Sequence, residues 1–450
     1  MTNALTLAYL AGSRPGTALA RACADSELLR TALGERFLSR PVFLEADQVQ
    51  DVGSRLSDLF DLLLSLPHRL HGGDVRAFAR AVGWSPLQIA TALGEDGIPR
   101  EVPRFARSDL YQEESGRFRI LELNVGSPLG GFDTPLIDDV LLADPYVSSF
   151  AQEHGVDTTD TTWMLTKVLG EALPGLDLGT GPVIGLVDWP ASFTFLEPRL
   201  RVMAELLRPY GIEAVPCHAG QVESRHDGLY VHGRRLDAVH RFYVIDDVVA
   251  PQDAELLRPI HEAARDGKTG LFTPLEPEVY GSKGCFAVLS DERSRHAFTD
   301  GELEVIDSFL PWSRTLRDEK VHVQGEVVDL LPYVRAHRED LVVKATGSHG
   351  GLDVVPGWST DQREWERIVD SFAGGPYIVQ RRVRPVAEQF PVGDGTRDTE
   401  SLVLNWGVFL VGHGYGGAYI RGTADLDGGV ISQANGALMG TCFHAGTGRP

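Results

Sequence analysis

Five lysines serve a chain of 450 residues: Lys167, Lys268, Lys283, Lys320 and Lys344. The remaining basic side chains are arginine, so a lysine inside an apolar segment is informative, because its compact ammonium differs from the guanidinium fork. Lys344 stands in LVVKATGSHGGLDVV (341–355). That stretch predicts two apolar strands around a loop of Gly347, Ser348, His349, Gly350 and Gly351. Strand alternation sets Lys344 on one face, and successive backbone N–H groups of such a loop can fold around an anion. An ammonium beside a nest of amides suits a polyphosphate. The order differs from the Walker pattern, where the lysine follows the loop and opens a helix. A plain Gly-rich hairpin with an exposed lysine is the alternative, and the scarcity of lysine weighs against it.

A second constellation lies in FARSDL and RFRILELN, which supply Arg107 and Asp109, then Glu122 and Asn124. Each pair is spaced i, i+2 on a predicted strand, Phe105 to Asp109 and Phe118 to Leu123, so both members of a pair face the same way. If the strands are antiparallel neighbours, Asp109, Glu122 and Asn124 converge. Two carboxylates and an amide oxygen form a hard-oxygen set suited to Mg²⁺, which takes few protein ligands and completes its shell with phosphate oxygens. Arg107 beside them would hold a phosphate or a developing anion. A solvated strand face carrying an Arg–Asp pair is the simpler reading, against which stand the apolar Ile120 and Leu121 and the Gly-rich loop that follows.

Three weaker signals follow. Lys283 in VYGSKGCFAVLS lies between a turn and an apolar segment and reads as a helix start, where backbone N–H groups also attract phosphate. Arg421 in GGAYIRG ends a strand whose small residues permit close approach of a ligand. PYIVQRRV (376–383) is a strand ending in polar residues, whose backbone could read an adenine edge or which could be a plain edge strand. Arg241, in VHRFYVID, is open between meeting an acid and making a surface ion pair.

These side chains need a scaffold. Residues 1 to about 95 read as short helices, from apolar positions at helical spacing (Leu56, Leu59, Phe60, Leu63, Leu64) broken by Pro67, Gly72 and Gly73. Residues 182 to 250 alternate strand, helix and strand, the pattern of a doubly wound layer, without the glycine fingerprint of a dinucleotide site. Lys+Arg 42 against Asp+Glu 63 gives a net charge of −21, which argues against a nucleic-acid binder. No apolar run approaches the ~20 residues that span a bilayer. The opening lacks a basic leader, and the four cysteines are too scattered for a disulfide framework or a zinc site. A cytoplasmic, multi-domain protein is expected.

Taken together, these parts resemble the ATP-grasp superfamily, and within it the circularly permuted branch typified by glutathionylspermidine synthetase. The resemblance rests on R-S-D (107–109) followed by E-L-N (122–124), an α/β unit over 182–250, S-K-G (282–284), V-K-A-T-G-S-H-G-G (343–351), I-V-Q-R-R (378–382) and A-Y-I-R-G (418–422). The order of parts, with the metal strands ahead of the nucleotide hairpin, is what resembles the permuted branch. It covers roughly residues 100 to 445. The longer separation of the two lysines, the Arg-Gly ending and the lack of an amidase domain depart from that branch.

The resemblance implies an α/β (α+β) ATP-grasp fold, circularly permuted. It would comprise a helical region over 1–98, a segment carrying the metal strands over 99–176, a pre-ATP-grasp α/β domain over 177–262, and nucleotide-binding lobes over 263–450. Asp109, Glu122 and Asn124 would hold Mg²⁺, and Lys283 and Lys344 would contact the phosphates of ATP. The Gly347–Gly351 loop would cover those phosphates. Gln380 and the backbone that follows it, Arg381 to Val383, would meet adenine. Arg107 and Arg421 would stabilise transferred phosphate or a substrate carboxylate. The implied activity is carboxylate–amine ligation through an acyl phosphate, on small acids and amines or a carrier protein. A catalytically inactive nucleotide-binding scaffold and a kinase on the same fold are the alternatives.

Overall fold

The computed structural model describes residues 3–12, 16–94, 102–126, 130–173, 175–347, 353–394, 398–425 and 428–446. Three sheets frame it. The largest runs Val42–Leu44, Leu438–Ala445, Gly414–Thr423, Thr399–Val411, Phe105–Gln112 and Phe118–Val125, in that spatial order. Only its first pair is parallel, Val42–Leu44 against Leu438–Ala445. Thr399–Val411 is long enough to pair with Ala387–Pro391 through its first half and with Phe105–Gln112 through its second. The strand pair that carries Arg107, Asp109, Glu122 and Asn124 is therefore the end of a sheet built mainly from the last 50 or so residues of the chain.

The N-terminal region is mostly helical, with one departure from expectation. Val42–Leu44 is a buried strand of the large sheet, and three residues offer no periodicity by which to find it. The helix Ala46–His71 covers one face of that sheet. Glu45 and Gln48 form its capping box, and Leu56, Leu59, Phe60 and Leu63 lie on its fully buried stripe. Burial of each such side chain contributes roughly 1.5–3 kcal/mol. Pro67 does not end this helix as expected. Its missing N–H forgoes one bond near the C-terminus, and the helix runs on to His71, where Gly72 in a left-handed conformation stops it.

The second sheet is parallel throughout, ordered Gly270–Phe272, Ala238–Arg241, Val183–Asp188, Glu213–His218. The helix Pro190–Leu207 links the strands 183–188 and 213–218, and the chain reverses direction of winding between 183–188 and 238–241. The third sheet is antiparallel, Ser313–Thr315, Tyr377–Arg381, Leu341–Ala345 and Val354–Pro356. It has its own core around Trp365, Val343 and Val379. No helix among the described residues is long and apolar enough to cross a membrane.

Candidate functional site

Asp109 pairs directly with Glu122, and Arg107 with Asn124, so all four side chains leave the same face of the strand pair. The register then slips: Leu110 pairs with Ile120, which leaves Leu121 as a bulge. A bulged residue drops out of the ladder and re-aims its neighbours. The freed carbonyl of Leu121 accepts a hydrogen bond from Lys344 Nζ at 3.1 Å. A lysine from the third sheet is thereby tied to a strand of the first, 223 residues away in sequence.

Lys344 is gripped a second time, donating to Gln380 Oε1 at 2.7 Å. Its pKa is pushed down to about 8 by burial and by the neighbouring Lys283, against the pull of Glu122 and Asp109. The Lys283 turn is pinned alongside. Its backbone N–H donates to Thr346 O at 2.9 Å, and Ser282 Oγ donates to Val82 O at 2.7 Å. Gly284 makes this packing possible, since a Cβ there would lie 2.4 Å from the Val82 carbonyl oxygen. Lys283 Nζ in turn stands 3.3 Å from Glu122 Oε2. Lys283 does precede a helix, Gly284–Leu289, of only six residues.

Arg421 enters from the strand Gly414–Thr423. Its Nη2 lies 2.8 Å from Asp109 Oδ1 and donates to Asn405 Oδ1 at 3.1 Å. Arg107 Nε is 3.5 Å from the same carboxylate oxygen, and its Nη1 donates to Gly130 O at 2.9 Å. Asp109 Oδ1, Arg107 Nε and Arg421 Nε are all buried with no hydrogen-bond partner among the described residues. Both guanidinium groups are ion-paired with the one Asp109 carboxylate. Buried polar atoms without partners are uncommon in native proteins and call for an explanation such as an absent ion or ligand.

One cleft collects these groups. Arg107, Asp109, Glu122, Asn124, Lys344, Gln380 and Arg421 line it. Lys283 lines a small adjoining recess with Glu122, Asn124 and Gly347. Arg381 and Val383, just past Gln380, line the far side of the cleft with Trp358 and Arg382. The Arg382 guanidinium stacks 4.1 Å over the Trp358 ring. Gln380, expected beside adenine, lines the cleft as well. Its backbone sits in the ladder between two strands, and its side chain bonds Lys344 and Ser313 Oγ. Ser348, His349, Gly350 and Gly351 lie outside the described residues.

Arg241 belongs to neither of the roles left open for it. It is fully buried, ion-paired with Glu278, and donates to the carbonyls of Tyr243, Gly126 and Pro274. Those acceptors come from three segments, so Arg241 clamps the parallel sheet to the end of the strand Phe118–Val125. Asn405 went unread in the sequence although a signal existed, a single amide inside the apolar run LVLNWGVFLV.

Among the described residues no group of three or more His, Cys, Asp or Glu side chains could hold a metal alone. Asp109, Glu122 and Asn124 nonetheless offer hard oxygens on one wall, the donor set of an ion that shares its shell with phosphate and water. That donor set on one wall of the cleft fits such an ion.

No family model matches the chain, and no curated protein matches it. Among solved structures, a glutathione synthetase-like effector from Globodera pallida, in its apo form, is similar with a TM-score of 0.55. The identity is 13%, over 90% of this chain and 89% of that one. The likeness is one of fold: the chain has a mixed α/β architecture like that of the glutathione synthetase-like effector and compatible with an ATP-grasp fold.

Proposed function

We propose that the chain is an ATP-dependent carboxylate–amine ligase with a circularly permuted ATP-grasp arrangement. One observation carries the reading. Acidic and basic side chains from residues 107–124 share a single cleft with Lys344 and Arg421 from the final third of the chain, with Lys283 beside it. Permutation is supported by chain order: the strands bearing Asp109 and Glu122 precede the segments bearing the two lysines, yet the Asp109 strand pairs with Thr399–Val411 and carries the Glu122 strand on its other side.

Phosphoryl transfer needs positioning and charge neutralisation more than covalent help from the protein. Lys283 and Lys344 would neutralise the triphosphate. The backbone from Arg381 to Val383 and the Trp358 side would receive the base. Asp109, Glu122 and Asn124 would hold Mg²⁺, which supplies charge neutralisation at the phosphates when bound. Arg107 and Arg421 line the cleft, two guanidinium groups sharing the one carboxylate of Asp109, and would orient the attacking carboxylate. The γ-phosphoryl group would pass to that carboxylate, giving an acyl phosphate and ADP. An amine would then form the amide and release phosphate. Burial of the cleft would protect the acyl phosphate from water.

The test is ADP and phosphate release in mixtures of ATP, Mg²⁺, acids and amines. Release that requires both an acid and an amine supports ligation. A stable phosphorylated product would replace it with a kinase, and nucleotide binding without turnover would replace it with a scaffold.

A further inference from the structure

A second cavity backs onto the cleft. Its apolar wall is Phe132, Leu196, Leu200, Met203, Leu206 and Phe242. The helix Pro190–Leu207 supplies four of these. Phe242 follows the strand Ala238–Arg241 at its C-terminal end. That position lies beside the switch between strands 183–188 and 238–241, where open α/β sheets characteristically bind ligands.

The two spaces meet at Gly130, which lines both. Its carbonyl is held by Arg107, and a Cβ on it would come within 3.4 Å of Arg199 Nη2 and 3.5 Å of Arg107 Nη1. Arg199 is committed to Asp133 by two hydrogen bonds of 2.9 and 3.1 Å. Its charge is therefore matched locally. Arg107 instead shares the Asp109 carboxylate with Arg421, two guanidinium groups against one carboxylate. An anion arriving beside Gly130 is thus met by Arg107 on the cleft side, while the wall beyond is apolar.

We propose that this cavity receives the apolar side chain of the acid substrate, whose carboxylate lies at Arg107 and Arg421. The inference rests on the ligase reading and names its substrate class: a carboxylic acid with a branched or aromatic hydrocarbon side chain. The cavity volume of 180 Å³ is enough for such a side chain, since an apolar cavity of roughly 150 Å³ holds benzene. Glycine or alanine would leave it unfilled and forgo that burial. A second charge on the side chain would meet no counter-charge there, because Arg199 and Asp133 already neutralise each other.

Calorimetric binding of glycine, alanine, leucine and phenylalanine tests this, with the full chain holding Mg²⁺ and a non-hydrolysable ATP analogue. Leucine and phenylalanine should bind at least tenfold more tightly than glycine. Leu196→Trp, which fills the cavity from a partly exposed helix position, should erase that margin. Met203→Ala should move the preference toward phenylalanine, and it serves if the tryptophan variant fails to fold. Equal affinity for all four acids, or a margin that neither variant changes, would overturn the proposal. ADP release by the same acids separates the two readings. Turnover without apolar preference sinks the cavity and spares the ligase; selective binding without turnover under any amine does the reverse.

Discussion

Lys344 is the side chain whose titration exposes the proposed chemistry most clearly. Its pKa in the free protein is about 8, lowered chiefly by burial. Below that pH the ammonium is present and available to a triphosphate; above it the amine is neutral. A charge-assisted hydrogen bond contributes about 2 kcal/mol, so the protonated form should bind nucleotide roughly 30-fold more tightly than the neutral form. The dissociation constant of an ATP analogue should therefore be flat below pH 7 and about twofold weaker by pH 8. Above pH 8 it should rise by up to about fivefold per pH unit and level off roughly 30-fold weaker. Binding must also draw in protons over that range, about two-thirds of one per nucleotide at pH 9. Calorimetry at pH 9 in buffers of different ionisation enthalpy reads that uptake directly. Lys344→Met should bind weakly at every pH and take up no proton. A flat wild-type profile to pH 10, or undiminished proton uptake by the methionine variant, would refute the placement of Lys344 against phosphate.

The same group has a second signature in the absence of nucleotide. Its lowered pKa means that the unfolded chain binds more protons than the folded one between about 8 and its ordinary value of 10.5. Stability from this group therefore rises with pH across that window, and urea midpoints of wild type should gain on those of Lys344→Met as pH rises from 8 to 10.5. Glu122→Gln should abolish ADP release, by at least about a hundredfold, with circular dichroism and the folded state intact; full activity would remove Glu122 from the site. Gln380→Leu takes from Lys344 its 2.7 Å acceptor and should weaken nucleotide binding about tenfold in calorimetry, an effect that would be missing if Lys344 were positioned by other groups. Arg241→Met strands Glu278 in the interior and should cost about 3–5 kcal/mol in urea unfolding; a loss confined to activity would mean that Arg241 meets substrate instead.

Much of the site was legible because strand alternation is local. Spacing of i, i+2 put Arg107 with Asp109 and Glu122 with Asn124, and antiparallel pairing of neighbouring strands did the rest. The rarity of lysine drew attention to Lys283 and Lys344, whose turns hydrogen-bond to each other through Thr346. What alternation cannot convey is which sheet a face meets. Arg241 looked like Arg107 in sequence, yet its face turns inward to three carbonyls and Glu278. The bulge at Leu121 depends on pairing rather than on residue type, so the grip of its carbonyl on Lys344 had no local signature. Gln380 was singled out for adenine, and its hold on Lys344, set by the pairing of two strands, had no local signature either. The second cavity is a gap between ordinary core-forming residues, and Leu200 or Met203 alone reads as packing.

The meeting of early carboxylates and late lysines around one triphosphate is tested most directly by a structure determined with Mg²⁺ and a non-hydrolysable ATP analogue. The expected result is a triphosphate within hydrogen-bond reach of Lys283 and Lys344, and a metal whose protein ligands come from Asp109, Glu122 and Asn124. A nucleotide seated anywhere else, or a triphosphate that touches the lysines with its metal held by other side chains, would contradict it.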